Sequence, residues 1–388
     1  MTLKKETNIF ERNKISVPAF KPWISSEDKK SIMNTLKKTM LTLGPNIETF
    51  EENFAKFTGS KYAIAVSSCT AALHISALAL GIGKGDEVIM PDLTFIADAN
   101  AVMATGAKPR IVDIDSNYSI SLDSIKQNIT KKTKAIIPVH IYGKATNMKE
   151  LVEFANSKDL MIIEDCAHAL DTFYNKKHVG NYGLVGCFSF YPTKNITTAE
   201  GGMIITNTKR IAEQLKSLRN HGMDKSLSSR YNDKRPWIFD VKTPGLNYRL
   251  DEIRSALGIS QLKRIHKITS LRKKAAKYYT NNLKVNGIIT PKILNDKSHS
   301  YHLYTIRVTK DYGISRNKLF EIFKKHGIRT TVYWQPLHKF SAYKNFALKK
   351  HIQNSLKIYD EILSLPLYPN IPTSHQNIVI DCIKKHQS

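Results

Sequence analysis

Short apolar runs alternate with amphipathic stretches through the first half of the chain. Each apolar run is followed by a stretch in which apolar positions recur at helical spacing. This alternation predicts a mostly parallel sheet covered by helices on both faces, because parallel strands are joined by crossovers that are usually helical. The predicted strands are 62–66, 87–90, 109–113, 135–139 and 160–163, and the predicted helices between them are 71–80, 97–104, 122–129 and 148–155.

The pattern changes on both sides of this region, and 388 residues are more than one hydrophobic core usually holds. We therefore expect an irregular arm (1–20), a large α/β domain (21–255), and a linking helix with a smaller α+β domain (256–388). Ser25 and Asp28 form a capping box that starts the first helix of the large domain. The other elements predicted beyond residue 206 are a helix at 211–218, a loop at 219–242, a helix at 251–257, a linking helix at 259–283, a strand at 301–308, a helix at 316–326, a strand at 329–333, and final helical and extended pieces that include 352–362.

Polar and aromatic side chains stand just past several predicted strands. Ligands of open α/β sheets bind at the carboxyl ends of the strands. We therefore expect these side chains to share one site. They are Thr70, Phe95, Asp165 and Ser189, with Lys194 following on the same loop as Ser189.

The turn at 67–70 is rich in hydroxyl groups and leads directly into a helix. The first N–H groups of a helix lack internal partners and carry the positive end of its dipole. The turn therefore predicts a phosphate site at Thr70. Similar turns also occur in α/β proteins that bind nothing there.

Lys194 lies among small hydroxyl residues and glycines within residues 187–203. A lysine in such a place can form an imine with a carbonyl compound if its ammonium pKa is lowered. The alternative is an exposed lysine in a hairpin connection. Asp165 either caps the next helix or pairs with a protonated ring nitrogen such as that of pyridoxal phosphate. Phe95 either stacks on such a ring or packs in the core.

The net charge of +26 is spread along the whole chain rather than concentrated in a tail. This spread makes a nucleic-acid partner unlikely and fits either a solvated lysine-rich surface or attraction of an anionic substrate. The four cysteines form no CxxC pair, which argues against a disulfide framework or a zinc site. The sequence contains no apolar run long enough for a membrane span and no secretory signal, so we expect a cytoplasmic protein without a metal.

Short motifs run in a fixed order from about Val17 to Pro369. They are Leu43-Gly-Pro45, Ser67-x-x-Thr-Ala-Ala-Leu73, Gly85-Asp-Glu-Val88, Thr94-Phe95, Val139-His-x-Tyr-Gly143, Glu164-Asp-x-Ala-His168, Phe188-Ser-Phe190, Lys194-x-Ile-Thr-Thr-x-Glu-Gly-Gly202, Arg219-Asn-His-Gly222, Gly245-x-Asn-Tyr-Arg249, Ala256-Leu-Gly258 and Pro336-Leu-His338. Together they resemble the DegT/StrS family of pyridoxal-phosphate-dependent nucleotide-sugar aminotransferases, which belong to fold type I, the aspartate aminotransferase superfamily.

The resemblance implies a role for each matching position. Lys194 would form the covalent imine with the cofactor and later move the proton, and Asp165 would pair with the ring nitrogen. Asn247 would reach the phosphate of the partner subunit's cofactor, which implies a homodimer with shared active sites. The other cofactor residues implied are His168 near the phenolic oxygen, Phe95 on the ring, and Ser189, Thr70 and the Ala71 N–H at the phosphate. The residues implied around the sugar nucleotide are Thr42, Arg249, Tyr333 and His338.

The same resemblance implies a transamination that takes the amino group of an amino acid, expected to be L-glutamate. The acceptor would be a keto group on a nucleotide-linked 4-keto-6-deoxy sugar, for a surface glycan, with a 3-keto sugar as the alternative and the nucleotide open among UDP, GDP and dTDP. Related dehydratases carry histidine at the position of Lys194, so the lysine favours a transaminase. Cys69 departs from the family, which usually has glycine or alanine there. A rival from another class is a non-catalytic regulatory or binding protein on the same fold.

Overall fold

We describe the protein from a computed structural model that covers residues 16–224, 234–294, 296–347 and 352–387. The predicted arm at 1–20 lies outside these residues up to residue 15, and so does part of the predicted loop at 219–242. The helices are α1 (Ser26–Leu36), α2 (Pro45–Thr58), α3 (Cys69–Ala79), α4 (Ala97–Ala104), α5 (Leu122–Asn128), α6 (Met148–Ser157), α7 (Lys209–Leu218), α8 (Glu252–Leu262), α9 (Ile265–Asn282), α10 (Arg316–Lys325), α11 (Asn354–Glu361) and α12 (Thr373–Lys385).

The strands alternate with the helices in the first half of the chain, as predicted. They are β1 (Tyr62–Val66), β2 (Glu87–Pro91), β3 (Lys108–Val112), β4 (Thr133–Ile136), β5 (Met161–Asp165), β6 (Phe173–Tyr174), β7 (Lys177–His178), β8 (Val185–Ser189), β9 (Gly202–Thr206), β10 (Ile288–Ile289), β11 (Tyr304–Val308) and β12 (Ile362–Leu365).

The central sheet has seven strands in the order β1-β9-β8-β5-β4-β2-β3. Strand β9 runs antiparallel to both of its neighbours, and the other neighbouring pairs are parallel. The predicted mostly parallel sheet is therefore confirmed. Because parallel strands end at one edge, the loops after β1, β2, β5 and β8 meet there, and the chain returns into β9 from the same edge.

A second apolar core forms around residues 275–383. Its three-stranded antiparallel sheet has the order β10-β11-β12, and fully buried side chains such as Tyr279 and Phe323 pack in the core. Residues 16–20 run along this core: the N–H groups of Ser16 and Val17 donate to Gly327, and Val17 is completely buried. The domain boundaries at residues 20 and 255 stay predictions.

Two elements differ from those predicted. The linking helix is not continuous, because Arg264 leaves helical geometry (φ −111°) and donates a hydrogen bond to the buried Asp28, which separates α8 from α9. The strand expected at 329–333 does not form. Only Thr331 pairs there, with Ser364, and the chain then turns so that Tyr333 faces the cavity described below.

No helix in the described ranges combines the length and the apolar character that a membrane span requires.

The start of α2 is held by a distant carboxylate. Glu252 is fully buried and accepts hydrogen bonds from the N–H groups of Gly44 (3.2 Å), Asn46 (2.9 Å) and Ile47 (3.1 Å). These are the orphan donors of a helix N-terminus, and no side chain at the N-cap position satisfies them because Gly44 stands there. Glu252 thereby ties α2 to the beginning of α8.

Replacing Glu252 by Ala should lower the free energy of unfolding by at least about 2 kcal/mol, because it leaves buried N–H groups without acceptors. Glu252→Gln keeps one carbonyl acceptor and should lose less. The control is Glu213→Ala, whose exposed carboxylate makes only a surface ion pair, and we expect a change within about 0.5 kcal/mol. Equal denaturation midpoints for Glu252→Ala and Glu213→Ala would contradict this account of the α2 start.

Candidate active site

A cavity of about 540 Å³ opens at the sheet edge where the parallel strands end. Side chains of the apolar core around the large sheet line it together with Phe20 and with residues of the 302–334 segment. The lining residues are Phe20, Ser68, Cys69, Thr70, Leu73, Thr94, Phe95, Ala97, Val139, Asp165, Ala167, His168, Ser189, Tyr191, Thr193, Lys194, Glu200, Gly201, His302, Tyr333 and Trp334. The structure therefore brings together Lys194, Asp165, His168, Ser189, Thr70, Phe95 and Tyr333 from the predicted site residues.

The alternation of β8 turns Ser189 towards this cavity. Phe188 and Phe190 are fully buried on the opposite side, where their rings pack against Phe54 at centroid distances of 5.1 and 5.7 Å. Side chains along a strand point alternately to opposite faces, so the residue between two buried phenylalanines faces the other way. The apolar packing behind the strand thus fixes the direction of the hydroxyl group.

Lys194 follows in the loop between β8 and β9. The loop is folded back on itself, since the N–H of Lys194 donates to the carbonyl of Tyr191 (2.8 Å) and the N–H of Thr198 donates to the carbonyl of Phe190 (3.0 Å). Burial lowers the pKa of the Lys194 ammonium to about 8, and the nearby charge of Asp165 opposes this shift only in part. The neutral fraction of the amine near neutral pH is therefore much larger than it would be at the ordinary lysine pKa of 10.5.

Asp165 is the last residue of β5, and its carboxylate is buried. Its Oδ1 accepts a hydrogen bond from the N–H of Ala167 at 2.7 Å. Desolvation raises the pKa of Asp165, whereas the Ala167 N–H and the Lys194 charge lower it. The alternative of a simple helix cap is wrong, because the residues directly after β5 form a turn that leads to β6 and not a helix.

The backbone beside Asp165 is held by a buried carboxylate–histidine pair. Glu164 accepts from His140 Nε2 (3.0 Å) and from the N–H groups of Gly180, Tyr182 and Gly183. The N–H of His140 in turn donates to the carbonyl of Asp165 at 3.0 Å. His140, Glu164 and Cys166 lie close enough together to suit a metal ion, but these donors already occupy both carboxylate oxygens of Glu164. The hydrogen-bonded pair of His140 and Glu164 therefore holds the backbone of the strand end that carries Asp165.

His168 is buried, and its Nδ1 accepts a hydrogen bond from the N–H of Tyr142 at 3.2 Å. Burial and the positive charge of Lys194 lower the pKa of His168 well below its usual value. The ring is therefore neutral with its proton on Nε2. Its neighbour is the ring of His302, at a centroid distance of 4.4 Å, and His302 lies between Tyr301 and Tyr304 of the second core.

The N-terminus of α3 forms one wall of the cavity. Ser68 is its N-cap and accepts from the N–H of Ala71 at 3.1 Å, so that predicted phosphate donor is engaged by the cap in this structure. Thr70 in the first turn is exposed. Gly202 permits the close approach of β9 to this turn, since a Cβ there would lie 2.6 Å from the carbonyl oxygen of Ser68.

An aromatic group frames the mouth of the cavity. Phe95 is 44% exposed, which rules out the alternative that it packs in the core. Its ring lies 4.6 Å from that of Trp334, and Trp334 contacts Tyr333 at 4.2 Å. Sequence reasoning missed Trp334 and His302, since neither follows a strand of the large sheet. The only sequence feature that could have indicated Trp334 as a site residue is its place directly after the predicted Tyr333.

The remaining predicted residues do not line the cavity of their own chain. Thr42 pairs with Asp251, and Arg249 Nη1 donates to Asn220 Oδ1 at 2.7 Å. Asn247 is exposed beside these residues. His338 is buried against Asp92, with Nδ1 and Oδ2 2.7 Å apart. The roles given to these four side chains stay predictions.

The geometry of this cavity agrees with the comparisons with known proteins. The model of the DegT/DnrJ/EryC1/StrS aminotransferase family matches residues 22–384. The chain belongs to this family. The spore coat polysaccharide biosynthesis protein SpsC of Bacillus subtilis is 37% identical over 375 residues, which cover 95% of this chain and 96% of SpsC.

Solved structures support the same assignment. PseC of Helicobacter pylori, an aminotransferase involved in the biosynthesis of pseudoaminic acid, is 30% identical with a TM-score of 0.88, over 96% of this chain and 99% of PseC. Spr1654 of Streptococcus pneumoniae, solved in PLP and PMP forms, is 27% identical to this chain in the PMP form, with a TM-score of 0.89 over 96% of this chain and 99% of that chain. The chain is therefore a pyridoxal-phosphate-dependent aminotransferase of fold type I, and the non-catalytic alternative is wrong.

The cavity residues fit this cofactor. The volume of the cavity lies in the usual range for small-molecule sites. The cavity offers the buried carboxylate of Asp165, the aromatic face of Phe95, and hydroxyl groups beside the N-terminus of α3. Among the described residues, the Lys194 amino group has no hydrogen-bond partner or close ion pair, so it is available for covalent attachment.

The pH dependence of cofactor attachment should report the pKa of Lys194. The neutral amine is the nucleophile, so the rate at which pyridoxal phosphate colours the apoprotein should rise with pH and level off above about 8. Stopped-flow absorbance measures this rate, and Lys194→Ala is the control that should lack the phase. A rate that keeps rising towards the ordinary lysine pKa of 10.5 would contradict the lowered value.

Proposed function

We propose that the enzyme transfers the amino group of L-glutamate to the keto group of a nucleotide-linked 4-keto-6-deoxy sugar, for a surface polysaccharide. The observation that carries this proposal is one cavity holding Lys194 beside the buried Asp165, with an open aromatic mouth. The names of SpsC and PseC, which refer to polysaccharide and pseudoaminic acid biosynthesis, support a sugar as the acceptor. The net charge of +26 supports an anionic substrate such as a nucleotide diphosphate.

Bound pyridoxal phosphate supplies an electron sink next to the reacting carbon. In our proposal Asp165 holds a proton at the ring nitrogen, and the hydroxyl groups of Thr70 and Ser189 bind the phosphate. The side chain of Phe95 covers one face of the ring. The Nε2–H of His168 would donate a hydrogen bond to the phenolic oxygen, since its Nδ1 already accepts from the N–H of Tyr142.

Lys194 Nζ is the group that moves the proton in this proposal. It would take the proton from the amino-bearing carbon of glutamate and return it on the cofactor side. The amino group would stay with the cofactor, and water would supply the keto oxygen of the 2-oxoglutarate that leaves. The same group works in the opposite direction when the keto sugar gains the amine. A pKa of about 8 suits both directions, because the amine can hold and release a proton near neutral pH.

The proposal includes a homodimer in which Asn247 reaches the partner's cofactor. It is supported by the position of Asn247, which is exposed and outside the cavity of its own chain. Exposed apolar side chains that a partner subunit could cover add support, among them Met33 (57%) and Trp237 (69%). We place the enzyme in the cytoplasm, which agrees with the absence of any disulfide among its four cysteines.

The direct test is a set of nucleotide-linked keto sugars incubated with L-glutamate and the loaded enzyme. We expect release of 2-oxoglutarate together with an amino sugar nucleotide, and at least about a hundredfold loss in Lys194→Ala, because the proton-transfer group is removed. The position of the new amine distinguishes a 4-keto from a 3-keto acceptor. A set of nucleotide sugars that gives no turnover, or full activity in Lys194→Ala, would contradict the proposal.

Mixed dimers test the shared site. Neither Lys194→Ala nor Asn247→Ala should be active alone, whereas refolding the two variants together should restore about a quarter of the wild-type activity, since half of the dimers then contain one intact site of two. As the control, each variant is refolded separately under the same conditions. Activity that stays at the level of the separate variants would mean that Asn247 serves its own chain or has no role.

A further inference from the structure

A second carboxyl group lies against Asp165 and was not predicted from the sequence. Asp98, in the first turn of α4, is completely buried, and its carboxyl group makes a hydrogen-bonding contact with that of Asp165. Thr94 Oγ1 donates to Asp98 Oδ2 at 2.6 Å. Asp98 Oδ1 is also buried, and no N–H or O–H group in the described part of the chain donates a hydrogen bond to it.

Two ionised carboxylates in contact inside a protein repel strongly, so such a pair keeps a proton. Burial and the charge of Asp165 raise the pKa of Asp98 well above its usual value. The Ala167 N–H and the charge of Lys194 act in the opposite direction on Asp165. Asp165 already accepts the Ala167 N–H at 2.7 Å, whereas Asp98 Oδ1 receives no hydrogen bond, so the proton is placed on Asp98 and its O–H donates to Asp165. The other titratable groups facing Asp98 are the thiols of Cys69 and Cys187, which burial keeps neutral.

We infer that Asp98 is a positioning residue: as a neutral acid it donates a hydrogen bond to Asp165 and leaves the pair with one negative charge, on the carboxylate that receives the cofactor's ring nitrogen. This inference rests on the role proposed above for Asp165. Asp98 itself does not line the cavity, so it acts only through its neighbour.

Substitutions separate this role from packing. Asp98→Asn has the same shape, and its amide can donate to Asp165 while its carbonyl accepts from Thr94. Asp98→Ala removes the donor and leaves the Thr94 hydroxyl without its acceptor. If Asp98 were needed for a negative charge, both variants would lose cofactor affinity. If Asp98 is needed as a hydrogen-bond donor, only Asp98→Ala loses cofactor affinity.

Infrared spectroscopy of the apoprotein reads the proton directly. At neutral pH we expect the carbonyl stretch of a protonated carboxyl group in wild type and in Asp165→Asn, and its loss in Asp98→Asn. A band that disappears in Asp165→Asn but persists in Asp98→Asn would place the proton on Asp165 and overturn the inference. The absence of any difference between wild type and Asp98→Asn would show that Asp98 is ionised and would also overturn it.

Cofactor binding gives the second readout. The Kd for pyridoxal phosphate should stay within about threefold of wild type in Asp98→Asn and rise at least about tenfold in Asp98→Ala, because a hydrogen bond to a charged group is lost. Equal losses in the two variants, or wild-type affinity in Asp98→Ala, would overturn the inference. Wild-type affinity in Asp165→Asn would instead overturn the proposed role of Asp165, which keeps the two failures apart.

Discussion

The burial of the Asp165 carboxylate is the constraint on which the rest of the site depends. An ionised group at the end of a buried strand is several kcal/mol less stable than in water unless charges or hydrogen bonds compensate for it. The structure places a backbone donor at 2.7 Å, the Lys194 ammonium and a second carboxyl group around it. His140 and Glu164 keep its backbone in place. In our proposal, a bound ring with a protonated nitrogen would complete this compensation, so that the cofactor and the buried charge would stabilise each other.

The residues that sequence reasoning located are those whose positions follow from local structure. A strand end, a hydroxyl-rich turn and a helix start are encoded within a few residues, and the rule that parallel strands share one edge places Thr70, Asp165 and Ser189 together. The exposure of Phe95 could not be predicted in this way, because an aromatic residue after a strand is equally compatible with a core position. Only the structure shows its ring at the cavity mouth.

The parts that were missed depend on contacts between distant segments. His302 and Trp334 reach the cavity from residues whose place relative to the large sheet has no local signal. The break between α8 and α9 likewise follows from a contact of Arg264 with Asp28, 236 residues away along the chain. Asp98 lies four residues after Thr94, but its contact with Asp165 crosses from one strand end to another and becomes visible only in three dimensions.

The central claim is that Lys194 is the residue that attaches the cofactor. Borohydride reduction of the protein loaded with pyridoxal phosphate, followed by proteolysis and mass spectrometry, tests it most directly. We predict one phosphopyridoxyl group per chain, on the peptide that contains Lys194, and none at that site in Lys194→Ala. A modification confined to other lysines, or an unchanged yield in Lys194→Ala, would contradict the account.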